Sequence, residues 1–145
     1  VSFLVAGHAG STPRPVNKVA SGGELSRIAL AIAVTTSQLG TAQTLIFDEV
    51  DAGVGGAVAQ TVGRLMRQLG LDRQVLAVTH LPQVAACADH HLVVRKQLVK
   101  KATLSSVAAV CAQERVDELA RMLGGETMMA STMAHAKDML QAQGT

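Results

Sequence analysis

Apolar positions along this chain change their spacing several times, and each change marks an element. Residues 1–6, VSFLVA, read as a first strand, and the Gly, Ser, Thr and Pro of residues 8–17 read as a loop. Between residues 24 and 38, Leu25, Ile28, Ala29, Ile32 and Ala33 recur three and four positions apart, which predicts a helix. Ser21 stands where a cap is needed and Gly40 just past the end. The helix is apolar on most sides, so burial is expected. The stretch TLIFDEVD, residues 44–51, has no alternation: a continuous apolar run ends in consecutive carboxylates. Such a run is what a strand buried in a parallel sheet looks like. It leaves Asp48 and Glu49 at the strand's carboxyl end, where open α/β sheets bind their ligands.

A glycine-rich turn at residues 53–56 follows, and Val58, Val62, Leu65, Met66 and Leu69 then predict an amphipathic helix that Gly70 stops. Residues 74–79, QVLAVT, are a second continuous apolar run. Strand, helix and strand of this length predict a right-handed parallel crossover, which brings His80 beside Asp48 and Glu49. Pro82 suits the first turn of a short helix through residue 88. Residues 91–95 and 104–110 read as a hairpin at the sheet edge, joined by a lysine-bearing turn. Val116, Leu119, Ala120 and Leu123, then Met129, Met133, Ala136 and Leu140, predict two more amphipathic helices separated by Gly124 and Gly125, with the methionines as core filler. The expected class is α/β, one domain over residues 1–145, with no internal repeat and no interdomain linker.

Composition narrows the partners more than the fold. At 145 residues and 48% apolar the chain can bury a core, which excludes a disordered or fibrous reading. Phe3 and Phe47 are the only aromatics, so stacking platforms for single-stranded nucleic acid are not expected and any DNA contact is electrostatic. A net charge of +2 does not argue for nucleic acid by itself. Arg95, Lys96, Lys100 and Lys101 form the only loose basic cluster, whose ordinary reading is a solvated hairpin. Cys87 and Cys111 make no CxxC, in keeping with a reduced, cytoplasmic protein. The start, VSFLVAGHAG, lacks an initiator Met, a basic leader and a membrane span, so the chain is expected to be a piece of a longer protein with no membrane partner.

The residue types suggest phosphate chemistry. An aspartate at a strand end can hold Mg2+ through oxygen, while an adjacent carboxylate pointing elsewhere can orient or deprotonate a water. Against this stands the plainer reading that Asp48 and Glu49 cap a turn. Ser21, Gly22 and Gly23 precede a helix, so backbone amides there can cradle an anion, although a simple capped turn explains the same residues. His80 can donate to a phosphate oxygen or serve as a structural residue. His8, His90, His91 and His135 show no metal-ligand spacing, and no zinc site is assigned.

The order of these parts is more specific than any one of them. ASGGE before a helix, then TLIFDE, a glycine turn and VTH resembles the second half of an ABC-type ATPase head: signature motif, Walker B, D-loop and switch histidine. DEVD and VASGGELSRIALAI are similar to the SMC-type branch of that P-loop superfamily. KVASGGELSR, TLIFDEVDAGVGG, VLAVTHLPQVAACADHH and RVDELARMLGG together resemble the RecN family of bacterial DNA repair ATPases, across essentially the whole chain. The resemblance implies the C-terminal lobe of a head that uses ATP and Mg2+. Asp48 would position Mg2+, Glu49 would act on the attacking water, and His80 would sense the γ-phosphate. Ser21, Gly22 and Gly23 would bind nucleotide held by the opposite protomer of a homodimer, and Asp51 would stand with the nucleotide-binding residues. The implied partners are DNA, through the full-length protein near the nucleoid, and the N-terminal Walker A lobe of the same protein. The D-loop of many ABC proteins ends in Asp, and Gly55 occupies that position here.

No GxxxxGK[ST] phosphate loop occurs in the chain, so by itself it is expected neither to bind ATP tightly nor to hydrolyse it. A different class of function, a non-catalytic dimerisation or DNA-scaffolding module, is favoured by that absence and by Gly55. The DE pair and His80 argue for a working site, and Val50 and Asp51 in place of Pro-Thr argue against a transporter ATPase.

Overall fold

A computed structural model describes residues 4–6, 10–16, 22–36, 42–48, 50–99, 102–125 and 129–142. The elements in chain order are β1 (Leu4–Val5), β2 (Arg14–Pro15), α1 (Gly22–Thr35), β3 (Thr44–Phe47), α2 (Gly56–Leu69), β4 (Gln74–Ala77), α3 (Pro82–Cys87), β5 (His91–Val99), β6 (Ala102–Val110), α4 (Ala112–Gly124) and α5 (Ala130–Gln141). They fall into two compact units, Val1–Thr79 and His80–Thr145. The α/β class stands, built from three two-stranded ladders, of which β3–β4 is parallel and β1–β2 and β5–β6 are antiparallel.

The first unit forms around the crossover that the apolar runs predict. β3 and β4 pair in parallel with Thr44 opposite Gln74 and Phe47 opposite Ala77, and α2 runs between them in sequence and packs on β4. Because side chains alternate across a strand, Ile46 and Leu76 share one face while Phe47 lies on the other. Phe47 is buried, together with Ala59, Val62, Met66 and Leu69 from the apolar stripe of α2. Gly70 ends α2, its amide donating to the Met66 carbonyl at 2.9 Å. α1 packs on α2 and buries Leu30.

Three expectations about this unit change. β3 is not enclosed on both faces: Ile46 is 70% exposed, because no layer covers its side of the β3–β4 pair among the described residues. α1 is not a buried helix, since Leu25 and Ile32 are exposed and one turn alone, at Leu30, reaches the interior. It starts at Gly22, two residues before the periodicity begins, because glycines carry no apolar signal. The stretch read as a loop contributes a short strand, with Arg14 opposite Val5. The proposed cap Ser21, the stop at Gly40 and the helix end at Gln38 lie outside the described residues.

In the second unit Pro82 opens α3 as expected, and α3, α4 and α5 pack on one another. Ala85, Ala86, Val116, Leu119, Ala120 and Ala136 form the core, with Met122, Met133 and Met139 packed around it, the gap-filling use of methionine anticipated from the sequence. Met129 is exposed. Gly125, at φ 70°, ends α4 in a conformation that favours glycine. The hairpin is longer than its apolar signal, nine residues on each strand, and among the described residues it pairs only with itself rather than joining a larger sheet edge. Its turn, with Lys100 and Lys101, lies outside the described residues. Among the described residues no helix is long and apolar enough to cross a membrane.

Candidate functional site

The residues singled out from the sequence divide between the two units. Asp48 follows directly on β3, exposed at the carboxyl end of the parallel pair, as the strand assignment requires. Gly22 and Gly23 form the first turn of α1, where backbone amides have no partner within the helix. Asp51 is 2% exposed, behind a fully buried Val50. Glu49 and Ser21 lie outside the described residues, and His80 opens the second unit, so the expected meeting of His80 with Asp48 and Glu49 is not part of the described geometry.

What the structure does bring together is the loop of residues 50–55. The Thr79 hydroxyl, at the end of the second apolar run, donates to the Asp51 carboxylate. Arg27 of α1 donates from Nη1 to the Ala52 carbonyl at 2.8 Å. The Val54 amide donates back to the Asp51 carbonyl at 3.2 Å, closing a turn within the loop. Gly53, at φ 71°, and Gly56, at φ 53°, supply the left-handed backbone that this tight passage into α2 needs. Gly55 is different: its φ of −161° is extended, and a Cβ there would meet nothing within 4 Å. Local backbone therefore does not dictate glycine at this position, and an aspartate fits it sterically.

Arg27 and Thr79 stand within the strings VASGGELSRIALAI and VTH, but the motifs give neither a role. A signal existed for each: Arg27 is the only basic residue in the fourteen of α1, and Thr79 is the polar residue that ends an apolar run.

The second unit carries its own polar cluster, within the strings VLAVTHLPQVAACADHH and RVDELARMLGG. Arg121 donates to both carboxylate oxygens of Glu118, at 3.0 and 2.6 Å. That bond holds the Glu118 carboxyl below the usual range despite the opposing effect of burial, and it raises the Arg121 guanidinium. His91, at the start of β5, is pushed below its ordinary value by burial first and by the Arg115 charge second, with Glu118 pulling the other way. Its Nδ1 is buried without a hydrogen-bond partner. Arg115 itself clamps the end of α3, donating to the carbonyls of Ala85 at 3.3 Å, Ala86 at 3.2 Å and Ala88. A cavity of about 280 Å3 beside this cluster is lined by Arg95, Glu114, Asp117, Glu118 and Arg121 and by none of the residues expected to hold nucleotide or metal.

No family model matches the chain. Curated proteins do. The DNA repair protein RecN of Vibrio cholerae is 50% identical over 142 residues, 98% of this chain and 26% of the relative. RecN of Xylella fastidiosa is 50% identical over 139 residues, covering 96% and 25%, and RecN of Bacillus subtilis is 43% identical over 141 residues, covering 97% and 24%. The chain thus spans about a quarter of the length of these relatives. A solved structure from work on ATP-driven dimerisation and DNA-stimulated activation of SMC ATPases matches with a TM-score of 0.55 and 21% identity, over 82% of this chain and 71% of that one. At that identity the likeness is one of fold. Half-identical to RecN proteins over nearly all its own length, and like an SMC ATPase in fold, the chain corresponds to a C-terminal segment of RecN proteins.

Proposed function

We propose that this chain supplies the signature, Walker B, D-loop and switch-histidine half of the ATPase head in an SMC-like protein of DNA double-strand break repair and recombination. The observation that carries this reading is Asp48 at the carboxyl end of a parallel β3–β4 pair, in a chain half-identical to RecN proteins. The residues suit the ligands. Asp48 offers a hard oxygen in an exposed position, as Mg2+ requires. α1 begins on two glycines, so its first-turn amides approach phosphate oxygens without a Cβ in the way.

Bound Mg-ATP supplies the phosphoanhydride to be cleaved and the metal charge that polarises it. Asp48 holds the metal, Glu49 orients the attacking water and accepts its proton, and His80 donates to a γ-phosphate oxygen. Ser21, Gly22 and Gly23 serve the nucleotide of the opposite protomer in a head-to-tail homodimer. Asp51, buried in the loop, serves the nucleotide site through the Thr79 hydroxyl that donates to it. The N-terminal Walker A lobe of the same protein covers the bare face of β3–β4, a role that the exposure of Ile46, Leu76 and Val78 supports. Hydrolysis drives head opening and closing coupled to DNA, in the cytoplasm at the nucleoid.

Glu49→Gln in the full-length protein tests the central step. Nucleotide binding and head association are expected to persist while turnover falls by about 10^2- to 10^4-fold, the usual worth of a general base. Unaltered turnover would remove Glu49 from its role. The 145-residue chain alone, which has no GxxxxGK[ST] loop, is expected to show no Mg-ATP hydrolysis in the same assay.

A further inference from the structure

The loop of residues 50–55 is held from two directions by side chains to which the motifs assign no role. From one side Arg27, in the second turn of α1, reaches the Ala52 carbonyl across 25 residues of sequence. From the other, Thr79 at the end of the β4 segment donates to Asp51 across 28 residues. Between these attachments the loop is short, internally bonded from Val54 to Asp51, and backed by a fully buried Val50. It has little room to shift at one attachment without shifting at the other. α1 is the helix whose first turn carries Gly22 and Gly23, and Thr79 is the residue immediately before His80 in the chain. The loop therefore joins the helix that presents the signature glycines to the backbone from which the switch histidine departs.

We propose that Arg27, Asp51 and Thr79 are positioning residues for ATP hydrolysis, tying α1 to the strand end before His80 through the 50–55 loop. This rests on the functional reading above. None of the three needs to touch nucleotide. Arg27 acts through the Ala52 carbonyl, a neutral acceptor, so what it provides is placement of backbone and not charge neutralisation. Asp51 acts through Thr79: its carboxylate is buried, and a buried carboxylate is tolerable where fixed donors satisfy it. The arrangement also gives a role to the one cation of α1.

The test uses the full-length protein and steady-state ATP turnover. Arg27→Met keeps the aliphatic stem and removes the donor, and Thr79→Val keeps the shape and removes the hydroxyl. Each is expected to lower kcat about ten-fold or more while KM for ATP stays within about two-fold, the pattern of lost placement in the reacting complex rather than lost ground-state binding. Arg27→Lys and Thr79→Ser, which keep a donor, are expected to recover most of the rate. Because both ties act on one loop, the double variant should lose little more than the worse single one. Thermal melts and the conservative variants separate this from unfolding: a merely structural role would lower the melting temperature without a kcat-specific loss. Wild-type kcat in Arg27→Met and Thr79→Val, or fully additive losses in the double variant, would overturn the tie. If Glu49→Gln abolishes turnover while Arg27→Met does not slow it, the ATPase reading stands and the tie falls. If Glu49→Gln turns over normally, the ATPase reading itself is what fails.

Discussion

The two units of this chain solve the packing problem in opposite ways. Unit 2 closes its own helical core: α3, α4 and α5 enclose Leu119 and Ala120, Arg121 bonds Glu118, and Arg115 donates to backbone carbonyls at the end of α3. Unit 1 leaves its parallel pair covered on one face only, and the other presents Ile46, Leu76 and Val78 to solvent. Of the described motif residues, Gly22, Gly23, Asp48 and Asp51 lie in unit 1, and His80 opens unit 2. Unit 2 has bare apolar positions of its own, on the β5–β6 hairpin at Leu92, Val94, Leu98, Leu104 and Val107, but its helical core is closed. Apolar surface left uncovered beside a strand end proposed to hold a metal fits a site completed by another part of the protein.

The sharpest way to break the comparison is to open the closed core. Leu119 is fully buried among alanines and methionines. Leu119→Ala is expected to cost about 2–5 kcal/mol, through lost burial plus an unfilled cavity. Hydrogen exchange should report the loss across α3, α4 and α5, with β3 and β4 keeping their protection. A loss of protection spread equally over both units would mean that the two do not behave as separate cores.

A smaller effect sharpens the same contrast through pH. His91 binds a proton less readily in the folded protein than in the unfolded chain, because burial and the Arg115 charge disfavour its cationic form. The unfolded state therefore holds more protons below the ordinary value of 6.5, so stability is full above that value and declines as pH falls through it toward the lowered native value. Glu118, lowered by its bond from Arg121, acts in a separate window: its contribution is present above 4.5 and is lost as pH falls through its native value. His91→Gln should flatten the decline between pH 7 and 5.5 in urea unfolding followed on unit 2, and leave the decline below pH 4.5. An unchanged profile above pH 5.5 would remove His91 as its cause.

How much of this was readable beforehand follows the same division. The crossover was legible because apolar runs at 44–47 and 74–77 are bounded by glycines and carboxylates, and their pairing needs no distant information. The helices of unit 2 were legible because their stripes are amphipathic and self-contained. The exposure of α1 and β3 was not: a continuous apolar run reports that a surface must be covered, but not by which part of the protein. Leu25 and Ile46 look like core in sequence and lie on the surface here for that reason. The loop at residues 50–55 was legible as a turn from its glycines, whereas Arg27 and Thr79 lie 25 and 28 residues from their acceptors and follow no local period. Gly55, which stands where many ABC D-loops have Asp, has an extended backbone and open surroundings, so its identity follows from no local conformation.

The smallest expected effect is the most telling about the bare face. Ile46 is 70% exposed, opposite Leu76 on the uncovered side of the pair, so Ile46→Ser removes almost no buried surface from this chain. Its stability should change by no more than about 0.5 kcal/mol, as for ordinary surface positions, and its solubility should rise. Ile46→Ser in the full-length protein should behave differently if the Walker A lobe rests on that face. There the same side chain is buried, and its loss is expected to cost about 1–3 kcal/mol of stability or lobe association, in the range for a buried aliphatic group made polar. Comparing denaturant midpoints of the variant in the short chain and in the whole protein reads the difference directly. Equal and negligible effects in both would show that the face stays open, and unit 1 would then need another explanation for keeping three large apolar side chains in water.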